Sequence, residues 1–259
     1  MSPAAARRHK RAARGFRAAA PIAAARPRRY ARAMLRRLAP AAALALAAPL
    51  APPASAHPHI FVDTGLTLIH DARGRLVALR VSWTYDELFS LLMLEELGLD
   101  PDYDGVLTEA ETETLQGFDM DWPEGYEGDV YVEAGGAPVG LGPPEPGAAA
   151  LRETGMLTAS HTRRLARPVD GAAEPVVIRV YDPTYYTAYS ILPDRVSTEA
   201  PHCATAVYAP DLEAAQAYLD ARLEQLGAGI DDPFVEQDFP RVGERFSEEV
   251  RLSCEEPGG

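Results

Sequence analysis

Two short stretches of this chain carry metal-ligating side chains at spacings that coordination chemistry can use. Residues 100–111 read DPDYDGVLTEAE. Asp100, Asp102 and Asp104 fall at positions 1, 3 and 5 of an EF-hand-type loop, where three hard carboxylates converge on one cation. Gly105 takes the sharp turn at position 6, Val106 offers its carbonyl at position 7, and Leu107 is the apolar anchor at position 8. Thr108 stands at position 9 and Glu111 at position 12, the bidentate place that favours Ca²⁺ over Mg²⁺. Thr108 and Glu111 also make a capping box for a following helix. A capping box alone does not ask for a carboxylate at every second position. A lone extracellular site of this kind binds in the range of about 0.1–1 mM. The expected role of calcium is therefore structural.

The second stretch is ASAHPHIFV, residues 54–62. His57, His59 and Asp63 share one parity on a strand, and two imidazoles with a carboxylate suit Zn²⁺, Ni²⁺, Co²⁺ or copper. Pro58 has no amide proton, which excludes the planar N-terminal site that needs a deprotonated second amide. If the chain is cut after Ala56, the α-amine of His57 adds a further nitrogen, and His161 or His202 could complete the set. The plain alternative is a polar strand start facing solvent. His70 has the opposite parity and is set aside; His161 and His202 stand alone, as surface histidines usually do. A third patch, YDPTYYTAY (181–189), offers Tyr185, Tyr186 and Tyr189, either as sheet packing or as the lining of a ligand site. No GxSxG, HExxH, phosphate-binding loop or CxxC is present, so no enzyme signature is read.

Charge separates the chain into two parts. Of its 25 lysines and arginines, 12 lie in residues 1–56, which hold no Asp or Glu; the remaining 13 face all 38 acidic residues. Such an acidic remainder disfavours nucleic acid and anionic lipid and attracts cations. Within the basic part, Met34, Arg36 and Arg37 precede a short apolar run from Ala41 to Leu50, and Ala54-Ser55-Ala56 is a small-x-small cleavage site. Residues 1–56 are thus expected to be a basic leader and export signal, with the true start possible at Met34. The run is too short and too proline-broken to span a membrane, and the mature chain has no spanning segment. Cys203 and Cys254, an even pair in an exported chain, are expected to form a disulfide stabilising by up to about 4 kcal/mol.

The elements that must position these residues follow from periodicity. His59–Ile69 and Val77–Trp83 alternate around the turn DARGR, predicting a hairpin with Ile60, Val62, Leu66 and Leu68 facing inward. Thr84 and Glu87 are spaced as a capping box for a helix over Tyr85–Leu97, ended by Gly98 and apolar enough on most sides to be packed. A second helix is expected over Glu109–Leu115. Strand signals run from Gly128 to Tyr208, interrupted by a Pro/Gly/Ala-rich loop at 142–150. Leu212–Leu226 reads as an amphipathic helix, and the tail as short extended pieces tied back by Cys254. The fold class is α+β: a mainly antiparallel sheet or sandwich with a helix–EF-hand-like loop–helix insertion at 85–116 and a C-terminal helix. The main domain is expected over 57–210, with the C-terminal helix and tail over 211–259.

Together, HPHIFVD, LRVSWTYDELFS, the Asp-rich loop and VYDPTYY resemble the bacterial family catalogued as domain of unknown function 1007, over residues 57–210. That resemblance implies a periplasmic component associated with a nickel/cobalt-type permease. On it, the chain is expected to be a non-enzymatic accessory protein holding Zn²⁺, Ni²⁺ or Co²⁺ at His57 and His59, with Asp63 as the candidate third ligand, and structural Ca²⁺ at 100–111. The alternatives are a calcium-stabilised interaction module of the cell envelope and a copper protein using a mature N-terminal histidine.

Overall fold

Alternating apolar side chains build two five-stranded sheets. In the computed structural model, the strands are β1 (Ile60–His70), β2 (Leu76–Tyr85), β3 (Val130–Ala134), β4 (Ala137–Val139), β5 (Leu141–Leu151), β6 (Leu157–Val169), β7 (Val176–Val180), β8 (Thr187–Thr198), β9 (Cys203–Tyr208) and β10 (Glu249–Cys254). The helices are α1 (Glu87–Leu97), α2 (Glu109–Leu115), α3 (Leu212–Leu226) and α4 (Gly243–Phe246). The structure describes residues 57–227 and 239–255, so the expected leader, its cleavage site and residues 228–238 of the tail lie outside the described residues. Among the described residues no helix is long and apolar enough to cross a membrane.

The first sheet runs β5-β6-β2-β1-β8 and the second β4-β3-β7-β10-β9. Among the described residues the strand pairs are antiparallel except β1 with β8, which is parallel. One continuous core lies between the sheets. Val62, Leu66, Leu68, Leu79 and Val81 meet Val132, Ile178, Val180, Val250 and Leu252 there. Burying one such side chain stabilises by about 1.5–3 kcal/mol. The fold class is α+β and sandwich-like, as expected. β10 sits between β7 and β9, so the last segment of the chain closes the second sheet.

Three local expectations are corrected. Helix α1 is capped by Asp86, not by Thr84: one Asp86 oxygen accepts from the Phe89 N–H and the other from the Phe61 N–H. Thr84 and Tyr85 are held in β2, opposite Asp63 and Val62 of β1, so the chain is still extended where a Thr84 cap would have to start the helix. The interior of α1 is also less packed than its composition suggests. Leu88, Leu91 and Leu92 are 64%, 49% and 51% exposed, because Ser90 and Leu94 face the sandwich instead. Residues 142–150, expected as a loop, are part of strand β5. Pro143, Pro144 and Pro146 are tolerated because β5 is an edge strand, where a missing N–H removes no ladder bond on the open side, and its register shifts twice around them.

The helical insertion is fastened to the sheet by specific contacts. The Ser90 hydroxyl accepts from the Leu157 N–H of β6 at 2.9 Å. Beyond α2, the Gln116 side chain pairs with Ala149 of β5 in both directions, donating to its carbonyl and accepting from its N–H, both at 2.9 Å. Leu94, Leu99 and Leu115 sink into the common core. Leu115→Ala is therefore expected to cost about 2–5 kcal/mol in urea unfolding, against less than about 0.5 kcal/mol for exposed Leu91→Ala. Equal losses for the two variants would show that the insertion is not part of the cooperative core.

Candidate functional site

The two opening histidines lie side by side at the head of β1. The His57 and His59 ring centroids are 4.8 Å apart, edge to face, and His59 lies 4.6 Å from the Tyr186 ring. His57 is buried, stacked at 3.9 Å on Phe239, whereas His59 is exposed. Phe239 belongs to a small cluster with Leu219 and Leu223 of α3 and Val242, so the amphipathic helix supplies the floor for His57. The parallel β1–β8 pairing begins here, where the His59 N–H donates to the Tyr186 carbonyl at 2.8 Å. Asp63, expected with the histidines, is four residues further along the strand, about 13 Å from His59 at strand rise. It pairs across the sheet with Thr84 and Ser190 and is not gathered with the two imidazoles in a group of ligand atoms.

Beside the histidines opens a groove of about 610 Å³ between β1 and α1. Half-buried Ile60, Phe89 and Met93 line it together with exposed Leu88 and Leu92, and Glu95, Glu96, His59 and Tyr186 complete it. An apolar groove with a carboxylate edge suits a contact surface better than a hydrolytic pocket.

The acidic loop turns between α1 and α2. Gly105 has φ +76°, in the left-handed region that favours glycine. Oxygens of Asp100, Asp102 and Asp104 lie within 4.8 Å of one another. Asp100 is buried and accepts from the Asp104 and Gly105 N–H groups, while Asp102 and Asp104 are exposed. Glu111 closes the loop: one oxygen accepts from the Asp100 N–H at 3.2 Å and the other from Thr108 N–H and hydroxyl. The capping box is complete, with α2 starting on Thr108. Those bonds hold the Glu111 carboxyl below the usual range. Val106 is exposed, and Leu107 packs against the core as the loop's apolar anchor.

The tyrosine segment divides its side chains among three places. Tyr186 faces the histidines, Tyr185 stacks on Phe246 at 4.3 Å, and Tyr189 enters the core. There the Tyr189 and Tyr126 hydroxyls both donate to one oxygen of Asp129, at 2.9 and 2.8 Å. Asp129 is a residue that sequence reading did not single out. Its only signal in the sequence is an acid directly before the apolar strand VYVEA. Burial raises its pKa to about 6, against the lowering effect of the two hydroxyl donors, and the same burial pushes both tyrosines upward. Tyr126 also lines a cleft of about 960 Å³ with Trp122, Tyr131, Arg163, Arg179 and Tyr181.

His161 is corrected from a surface residue to a core one, at 1% exposure. It packs against Trp83 at 4.7 Å and Trp122 at 5.4 Å, and neither ring nitrogen has a hydrogen-bond partner among the described residues. Burial, helped by the Arg163 charge, lowers its pKa to about 4, so it is neutral. Arg163 is buried too, its guanidinium donating to the carbonyls of Gly142, Glu127 and Leu141 beneath the Trp122 ring. Cys203 and Cys254 form the expected disulfide across neighbouring strands β9 and β10.

A family model described as protein of unknown function (DUF1007) matches residues 42–254. None of the curated proteins matches the chain.

The Asp129 shift has a pH consequence. Because its pKa is raised on folding from 3.8 to about 6, the stability gained from its proton is full below pH 3.8 and is lost as pH rises through 6. Two pH units correspond to about 3 kcal/mol. Asp129→Asn, uncharged throughout, should therefore gain on the parent by an amount of that order between pH 4 and pH 7, measured by chemical denaturation. Parallel curves for the two proteins across that range would contradict a raised Asp129 pKa.

Proposed function

The chain belongs to the DUF1007 family, and we propose that it is an exported accessory protein that holds a transition metal at His57 and His59 and presents it to a protein partner. The observation carrying this reading is the juxtaposition of the two imidazoles, 4.8 Å apart, beside an exposed apolar groove. Imidazole nitrogens bind Zn²⁺, Ni²⁺ or Co²⁺ at about 2.0–2.1 Å, a reach that two rings so close can share through one ion. Cleavage after Ala56 would place an α-amine on His57 as a third nitrogen. Asp63 has no part in this site. The chain is read as periplasmic and its partner as an inner-membrane metal permease, docking through an apolar surface with basic flanks against Leu88, Leu92, Glu95 and Glu96. The neighbouring imidazoles and the apolar groove support binding and hand-over as the role.

A second ion, calcium, is proposed for Asp100, Asp102 and Asp104, with the Val106 carbonyl, Thr108 and Glu111. The carboxylate trio supports it, as does the positive φ at Gly105. Its role would be to fasten the loop between α1 and α2, because Leu107, Leu99 and Leu115 on either side are anchored in the core.

Two measurements test these assignments. Zinc or nickel affinity, followed calorimetrically, should fall at least about tenfold in His59→Ala, and further in the double variant with His57→Ala. Unchanged affinity in the double variant would remove the site. For calcium, the melting temperature of the parent should rise with millimolar Ca²⁺, reflecting about 1.4 kcal/mol at ten times the dissociation constant. Asp102→Asn with Asp104→Asn should abolish that rise. A rise that survives in this variant would place calcium elsewhere.

A further inference from the structure

His70, the residue that parity set aside, ends β1 against the disulfide that joins β9 to β10. One of its ring nitrogens and the sulfurs of Cys203 and Cys254 all lie within 4.8 Å of one another. The ring's Nδ1 lies 3.1 Å from the Leu68 carbonyl oxygen. A carbonyl only accepts, so Nδ1 carries the proton and Nε2 keeps its lone pair. Nε2 is buried and has no hydrogen-bond partner among the described residues. Burial also lowers the His70 pKa, which favours the neutral, ligating form. All three residues are intermediate in burial, neither enclosed in the core nor fully exposed.

We propose that Cys203, Cys254 and His70 are a thiolate–imidazole site for zinc or a similar borderline-soft divalent cation, masked by the disulfide and opened when a dithiol reduces it. The chemistry balances without further reagents. A thiolate of the dithiol attacks one sulfur and the Cys203–Cys254 bond breaks. The dithiol leaves as its own disulfide, and both cysteines are left as thiols. Binding of the divalent ion then releases two protons to water as the thiols become thiolates.

The backbone keeps the site assembled after the covalent bond is gone. Cys203 and Cys254 are directly opposite each other at the end of a ladder of six residue pairs, so the strands hold their Cα atoms close in either redox state. Tetrahedral zinc, with bonds of about 2.3 Å to sulfur and 2.0–2.1 Å to nitrogen, sets its ligand atoms roughly 3.6–3.8 Å apart. Side-chain rotation suffices to reach that from the present spacing. His202 is the candidate for the fourth position. It precedes Cys203 in the chain, its charge acts on His70, and its ring lies so close to Gly74 that a Cβ there would stand 2.7 Å from its Cε1. The bound ion would replace the disulfide as the cross-link between β9 and β10.

This site is separate from the one at His57 and His59, and the experiment keeps them apart by using the His57→Ala, His59→Ala protein throughout. That protein is reduced with an immobilised dithiol, separated from it, and titrated anaerobically with Co²⁺. The reduced form should bind one equivalent with thiolate-to-cobalt charge-transfer absorption and tetrahedral d–d bands that zinc then bleaches; the oxidised form should show none. His70→Gln, which leaves both cysteines in place, should weaken cobalt binding at least about tenfold. Zinc should raise the melting temperature of the reduced form only. Absence of the charge-transfer band after reduction would overturn the proposal, as would parental affinity in His70→Gln. A reduced protein that unfolds and is not restored by zinc would overturn it equally.

Discussion

The parallel pairing of β1 with β8 is the constraint from which the positions of the candidate site follow. Neighbouring strands that run parallel cannot be joined by a tight turn, so the chain between them has to travel elsewhere and return. Here it uses that excursion to build β2, the helical insertion, the edge strand β5 with its neighbour β6, and three strands of the second sheet, β3, β4 and β7. When it comes back, the first residues to meet β1 are those of the tyrosine segment, and the Tyr186 carbonyl takes the His59 N–H. One register decision therefore sets Tyr186 against the two histidines. It also sends Tyr189, three residues on, into the core toward Asp129.

Asp129 and its surroundings show what the sandwich tolerates in its interior. An acid, two tyrosines, a neutral histidine and an arginine lie among indole rings, and burial acts on each in the direction its charge dictates. The carboxyl and the phenols move up, and the imidazole and the guanidinium move down. The arginine is stabilised in place by three backbone carbonyls, which also tie the proline-rich edge strand to the 127 loop. Burial makes proton uptake by the carboxyl easier than it is in water, because the interior solvates a charge poorly.

Helix α1 makes the opposite compromise. Its seven apolar residues cannot all face the sandwich, because a helix lying on a sheet buries one stripe. The buried stripe includes Ser90, whose hydroxyl is committed to β6, and the leucines on the other side are left in water. The apolar surface left over adjoins the histidines, and this neighbourhood unites metal binding with partner docking in the functional reading.

Local chemistry was enough to read much of this protein. The first hairpin, both termini of α2 and α3, the left-handed cap at Gly98 and the carboxylate spacing of residues 100–111 depend on side chains within a few positions of one another. Periodicity and capping report such short-range effects directly. The family, too, was legible from short motifs. What the sequence left open were long-range matters. A proline-rich stretch became a strand only because β6 offered it an edge. Thr84 lost its capping role to Asp86 because strand pairing claimed it first. His70, His161 and Asp129 each looked ordinary in isolation. Tyr189 reaches Asp129, Trp83 and Trp122 reach His161, and the disulfide reaches His70 from more than 20 residues away, and burial beside those partners shifts their protonation and their chemistry.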